Sequence, residues 1–391
     1  MSVKCHVLLI TSNETLRSEF RAAQAVLDDE STVLHVANDL RQGLDTARNR
    51  QPQLVIMELS RDIAAFVTFV KEIASAAPST VIAAAFDPRT LAEDASESAL
   101  MIEALRGGVQ DFLRRPLAAA DLTQLIDRVA APRGTLRKIV PGKTVLFLSN
   151  KGGVGKSTLA TNVACGLAQK YPRKVLLIDA SLQQGVCASL LNLQPQSTLM
   201  DAIRQQQRLD EVLLRQLVTQ HSSGVDLLPA PAHVAEAAEI DDEGITRIVM
   251  LARRTYDFVI VDTFPVFDRV VMALLDLGDR AYLVFENVVP TVLGAVRFLE
   301  LLESLSYSPL QQRIILNRYT VSAGNPPQKD VAERLGRTID HLIPLDRRVV
   351  VAANSGEPFA LRASGWTSTG QAIRKLIREV ELLGAGDASP G

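Results

Sequence analysis

Residues 146–168 read LFLSNKGGVGKSTLATNVACGLA. An apolar run ends in a glycine-rich turn, and the turn opens into a helical pattern. A strand that passes through such a turn into a helix presents successive backbone N–H groups to one point, with the positive end of the helix dipole behind them. Phosphate is the guest that suits this arrangement. Gly152, Gly153 and Gly155, with Val154 between them, permit close backbone approach, Lys156 can reach the β- and γ-phosphates, and the Ser157 hydroxyl, followed by Thr158, can ligate Mg²⁺. The stretch predicts a P-loop that takes ATP and Mg²⁺. It departs from the general GxxxxGK(S/T) pattern in two ways: Asn150 stands at the first glycine position, and a second lysine, Lys151, follows it.

Working outward, TVLFLS, KVLLIDA, VDLLPA, DFVIVDT, RAYLVFE and RIILNRY are strand candidates separated by helical stretches. They predict a P-loop NTPase domain over residues 143–383 with a mostly parallel sheet. Upstream, residues 5–130 alternate short apolar runs (HVLLI, TVLHV, LVIME, TVIAAAF, DFLRR) with helical patterns near 14–28, 38–49, 62–76, 96–107 and 119–130. Five βα repeats predict a flavodoxin-like, doubly wound domain, because parallel neighbours need crossover helices. Between the two, residues 131–142 break the periodicity with prolines, glycines and basic residues and read as a linker. The last residues, 384–391, read as a disordered tail.

The chain has 391 residues and a formal net charge of −2, so no global basic excess marks it as a general nucleic-acid binder. Its three cysteines, Cys5, Cys165 and Cys187, form no CxxC pair and read as reduced core thiols in a cytoplasmic protein. No signal-peptide core or run of ~18 apolar residues occurs. The histidines, His6, His35, His221, His233 and His341, show no ligand spacing and read as structural or surface residues.

KGGVGKST resembles the deviant Walker A motif of the ParA/MinD ATPases, and the resemblance extends in order through KVLLIDASLQQG, YDFVIVDTFP, ILNRY and IPLDRRVVVAANSGEPF. It implies an ATP-sandwich homodimer in which Lys156 serves its own nucleotide and Lys151 reaches the neighbour's. A lysine supplied in trans offsets the repulsion of two apposed triphosphates. By position, Ser157, Asp179 and Asp262 would hold Mg²⁺, while Asn317 and Arg318 would flank the adenine. The family carries a second aspartate where this chain has Ser181, and a hydroxyl cannot act as a base at neutral pH. Hydrolysis is therefore expected to be slow unless Gln183 or Gln184 positions water.

Residues 5–130 are similar to response-regulator receiver domains, most clearly in ALRGGVQDFLRRPL. The places where such domains carry an acidic pair, a phospho-accepting aspartate, a hydroxyl and a lysine hold Thr11 and Ser12, Glu58, Ala84 or Ala85, and Arg115. A binding or dimerisation role without phosphoryl transfer is expected. QAIRKLIREVELL (371–383) has two readings: a last helix packing its apolar stripe on the domain, or, because it resembles the membrane-targeting tail of MinD, a peripheral membrane contact.

From end to end the chain resembles the CpaE/TadZ family, a degenerate receiver fused to a ParA/MinD-type ATPase. That resemblance implies a localisation factor at a cell pole or the inner membrane that assembles a Flp/Tad-type pilus secretion apparatus with its proteins as partners. The alternatives are a ParA-like DNA-partitioning ATPase, disfavoured by charge, and an FlhG-like flagellar placement regulator, disfavoured by the additional N-terminal domain.

Overall fold

The computed structural model describes residues 5–25, 32–87, 97–130, 141–172, 174–206, 208–322, 324–362 and 367–385. Most of the expected linker and most of the expected tail, 131–140 and 386–391, lie outside them. The chain divides into two compact units, Met1–Val140 and Pro141–Gly391.

The N-terminal unit alternates β1 (Cys5–Ile10), α1 (Glu14–Gln24), β2 (Thr32–Ala37), α2 (Leu40–Arg50), β3 (Leu54–Glu58), α3 (Ile63–Ala76), β4 (Val81–Phe86), α4 (Glu97–Gly107), β5 (Asp111–Arg114) and α5 (Ala119–Ala130). All strand pairs are parallel, in the order β2-β1-β3-β4-β5. This is the flavodoxin-like order. Side-chain caps set the starts of three helices: Asn13, Asp39 and Asp62 each accept a backbone N–H from the first turn that follows.

The C-terminal unit runs β6 (Lys143–Leu148), α6 (Lys156–Ala168), β7 (Val175–Ala180), α7 (Cys187–Leu190), α8 (Leu199–Arg204), α9 (Glu211–Leu217), β8 (Thr219–Gln220), β9 (Asp226–Leu228), α10 (Asp242–Thr255), β10 (Phe258–Thr263), α11 (Arg269–Leu277), β11 (Arg280–Glu286), α12 (Val289–Ser304), β12 (Gln312–Tyr319), α13 (Gln328–Leu335), β13 (His341–Pro344), α14 (Arg347–Asn354) and α15 (Ser368–Ala385). Its sheet order is β13-β12-β11-β6-β10-β7-β9-β8, parallel except where β8 meets β9. The central strands are apolar almost throughout because helices cover both faces. Behind the P-loop, α6 is buried nearly all round and joins β6, β7, β10 and α15 in one core.

One open choice is decided and two expectations need correction. The amphipathic stretch 371–383 belongs to α15, whose Ile373, Leu376, Ile377 and Val380 are buried in that core, so its apolar stripe faces protein rather than a membrane. The same helix runs through residue 385, into the segment expected to be unstructured. Gly142, placed in the linker by composition, belongs to the second unit: its N–H donates to the Arg253 carbonyl at 2.6 Å. Among the described residues no helix is long and apolar enough to cross a membrane.

Candidate functional site

Parallel pairing of β7 with β10 sets Asp179 directly beside Asp262, at the ends where both strands leave the sheet. The P-loop follows β6, next to β10. Strand order thus brings three distant segments to one crevice at the carboxyl ends of the strands, where open α/β sheets bind ligands. Gly155 enters α6 with φ +88°, in the left-handed region, and a Cβ there would stand 2.4 Å from Asn317 Nδ2. Glycine is required on both counts.

Helix α6 begins without any side-chain cap, so its first N–H groups are left for a ligand. A side chain at Gly152 or Gly153 would meet no other atom within 4 Å, so the loop is open on that side. Lys156 is buried, and its ammonium donates to Asp262 Oδ1 at 2.7 Å and to the Thr263 carbonyl. Lys151 is exposed on the same loop and, among the described residues, forms no side-chain hydrogen bond or ion pair. Ser157 and Thr158 are half-buried in the first turn of α6. An uncapped helix start, an open backbone cradle, a buried lysine and the oxygen donors Ser157, Asp179 and Asp262 fit a nucleotide polyphosphate with Mg²⁺.

Asp179 is 1% exposed and accepts from the backbone N–H groups of Ser181 at 3.1 Å and Cys187 at 2.9 Å. Burial and the neighbouring Asp262 charge push its carboxyl up to about 7, against the pull of these donors. Ser181 is also buried, with its hydroxyl 3.5 Å from the Gln184 carbonyl, whereas the Gln183 and Gln184 side chains are exposed.

At the end of β12 the structure joins Asn317 and Arg318 to the P-loop itself. The Asn317 amide donates to the Val154 carbonyl at 2.8 Å, and Arg318 donates to the Gly153 carbonyl at 2.7 Å and to Glu286 at 2.9 Å. Both side chains brace the cradle from the β12 side. Three participants had no sequence signal: Thr263, whose carbonyl holds Lys156; Glu286, which holds Arg318; and Cys187, read as a core thiol, whose sulfur lies 3.7 Å from Asp262 Oδ2.

In the N-terminal unit, Glu58 ends β3 and accepts hydrogen bonds from Thr11 at 3.1 Å, Asn13 at 2.8 Å and Arg115 at 2.7 Å. Arg115 also contacts both carboxylate oxygens of Glu19, at 3.1 and 3.2 Å. This ion-paired cluster closes the carboxyl ends of β1, β3 and β5.

Residues 142–314 match the family described as AAA domain. The septum site-determining protein MinD of Thermotoga maritima is 28% identical over 229 residues, covering 57% of this chain and 83% of that protein. The crystal structure of a ParA family ATPase from Chlorobium tepidum TLS is 27% identical with a TM-score of 0.55, covering 61% of this chain and 98% of that one. MinD of Pyrococcus horikoshii OT3, solved with Mg-ADP, shares the fold at 22% identity and a TM-score of 0.55, over 64% of this chain and 100% of that one. The C-terminal unit is thus similar in sequence and fold to ParA/MinD-type P-loop ATPases.

Proposed function

We propose that this chain is an ATP-binding localisation factor that acts as a nucleotide-sandwiched homodimer and places a Flp/Tad-type pilus secretion apparatus, in the manner of the CpaE/TadZ family. Similarity to septum site-determining and ParA ATPases supports a positioning role. The observation that carries the reading is the division of labour on one loop: Lys156 is buried and engaged, while Lys151 is exposed and unpaired among the described residues. A cation with no partner among the described residues, at the mouth of a phosphate cradle, is placed to meet charge on another molecule.

Binding exchanges one partner of Lys156 for another, as its ammonium leaves Asp262 for the phosphates. Ser157, Asp179 and Asp262 would hold Mg²⁺, which neutralises charge on the triphosphate when bound. Asn317 and Arg318 keep the loop in its cradle shape by their bonds to Val154 and Gly153. Ser181 cannot take a proton from water, so turnover is slow and occupancy persists. The N-terminal unit, read as a receiver without its chemistry, serves as a binding or dimerisation module, with pilus-apparatus proteins as partners at the pole or inner membrane.

The test is Lys151→Ala in the full chain. The variant should bind ATP as wild type does and lose the ATP-driven increase in mass by light scattering. An undiminished increase would remove the trans lysine from the account.

A further inference from the structure

Asp179 and Asp262 stand side by side across β7 and β10, and neither is more than 1% exposed. Among the described residues one cation serves both: the Lys156 ammonium, on Oδ1 of Asp262. The other Asp262 oxygen, Oδ2, meets a neutral group, the Cys187 thiol at 3.7 Å. Buried charges persist when they are paired or when they coordinate a metal. Ionising both carboxyl groups against one ammonium would leave a negative charge over, so the pair favours either a proton on Asp179 or a second cation.

The donors around that charge converge. A carboxylate oxygen from each aspartate and the Cys187 sulfur lie within 4.8 Å of one another, all three residues being buried. Tetrahedral zinc, with bonds of about 2.0–2.3 Å, spaces its ligands by roughly 3.5 Å, so small inward side-chain movements would close the set.

We propose that the nucleotide-free protein binds a thiophilic divalent cation of the Zn²⁺ class between Asp179, Cys187 and Asp262, at the Asp262 oxygen that Lys156 does not occupy. On binding, the Cys187 S–H bond breaks, its proton and any proton held by Asp179 go to solvent, and a metal–sulfur bond forms. Two carboxylates, one thiolate, one ammonium and one divalent ion then sum to zero charge. Three protein donors leave a fourth position for a water or another donor. A sulfur donor disfavours Mg²⁺, which takes oxygen ligands. The cation shares Asp179 and Asp262 with the proposed nucleotide metal and lacks Ser157, so occupancy by the two is mutually exclusive. The proposal turns on Cys187, which the ATP reading does not use, so it stands or falls apart from that reading.

The experiment uses the full chain, stripped with chelator and titrated with Co²⁺ alone, followed by Zn²⁺ displacement. Wild type should show a thiolate-to-Co²⁺ charge-transfer band that Zn²⁺ abolishes and excess Mg²⁺ does not. Cys187→Ser should lose the band and bind Zn²⁺ at least tenfold more weakly, while Cys165→Ser keeps both properties. Asp179→Asn retains the thiol and should also weaken Zn²⁺ at least tenfold, which covers the case that Cys187→Ser fails to fold. Absence of a band in wild type, its survival in Cys187→Ser, or unchanged Zn²⁺ affinity in Asp179→Asn would overturn the proposal.

Discussion

Replacing Lys156 by Met tests whether the nucleotide-free cradle is closed on itself. The Lys156–Asp262 pair is 2.7 Å long, with side chains 7% and 0% exposed. At an effective dielectric of about 20 its Coulomb attraction is about 6 kcal/mol, most of which offsets the desolvation of the two charges. Loss of the lysine leaves Asp262 uncompensated beside Asp179, and removal of one partner of a buried pair costs about 3–5 kcal/mol. For a unit of about 250 residues, each kcal/mol moves Tm by roughly 2–4 °C, so calorimetry should show a fall of roughly 6–20 °C. Asp262→Asn in the same chain should recover part of the loss, with a coupling energy of about 2–3 kcal/mol. Mg·ATP at about 100 times its Kd should add about 2.7 kcal/mol to wild type and far less to Lys156→Met. A nucleotide-free Tm that falls by less than about 2 °C would mean that the pair is not formed in solution, and the partner exchange drawn for ATP binding would go with it.

Gly155→Ala forces a Cβ to 2.4 Å from Asn317 Nδ2 at a φ of +88°, so nucleotide titration should give affinity at least about tenfold weaker while circular dichroism stays native. Ser181→Asp should raise single-turnover phosphate release at least about tenfold, a conservative part of the ~10²–10⁴ that a general base supplies; an unchanged rate together with activity abolished by Gln183→Ala would assign the water to Gln183 instead. The same substitution adds a carboxylate beside Asp179, so its nucleotide-free Tm should fall. Burial pushes Glu379 up, but His341, Tyr282 and Arg313 outweigh it and hold the carboxyl at about 2, below its ordinary 4.5. A depressed acid stabilises above its unfolded pKa, so α15 should lose stability as pH drops from about 4.5 toward 2. The loss is about 1–2 kcal/mol once solvent screening is allowed for. Glu379→Gln should flatten that acid limb in a pH series of denaturant midpoints.

Local order was legible wherever chemistry and periodicity coincide. LFLSNKGGVGKST gives strand, cradle and helix in one reading because glycines, lysine and hydroxyl all lie within thirteen residues. Partners distant in sequence were not legible. Asp179 and Asp262 are 83 residues apart (262 − 179), and only the β7–β10 register makes them neighbours. Cys187 returns to Asp179 because the intervening turn folds back, and a lone apolar cysteine gives no hint of that. The strand at His341–Pro344 was missed because four residues ending in proline carry little periodicity. Amphipathicity alone left α15 two readings, since a stripe that packs on a core and one that meets a membrane share the same spacing.

Both units depart from their proposed families at the group that would do chemistry, and in each the replacement secures structure. Glu58 has its carboxylate tied by Thr11, Asn13 and Arg115, and Arg115 is tied in turn by Glu19, so a phosphoryl group or metal would have to break part-buried ion pairs to enter. Ser181 donates its backbone N–H to Asp179 and so helps to fix the carboxylate that remains, while supplying no base. The cradle around Lys156 is complete by the same standard: its glycine, its uncapped helix and its bracing pair, Asn317 and Arg318, are all present. On the proposed reading, a chain that binds nucleotide and turns it over slowly responds to nucleotide concentration and partner copies instead of cycling. On the proposed reading, residence at one place in the cell then follows from how long ATP stays bound, and Ser181→Asp should shorten it.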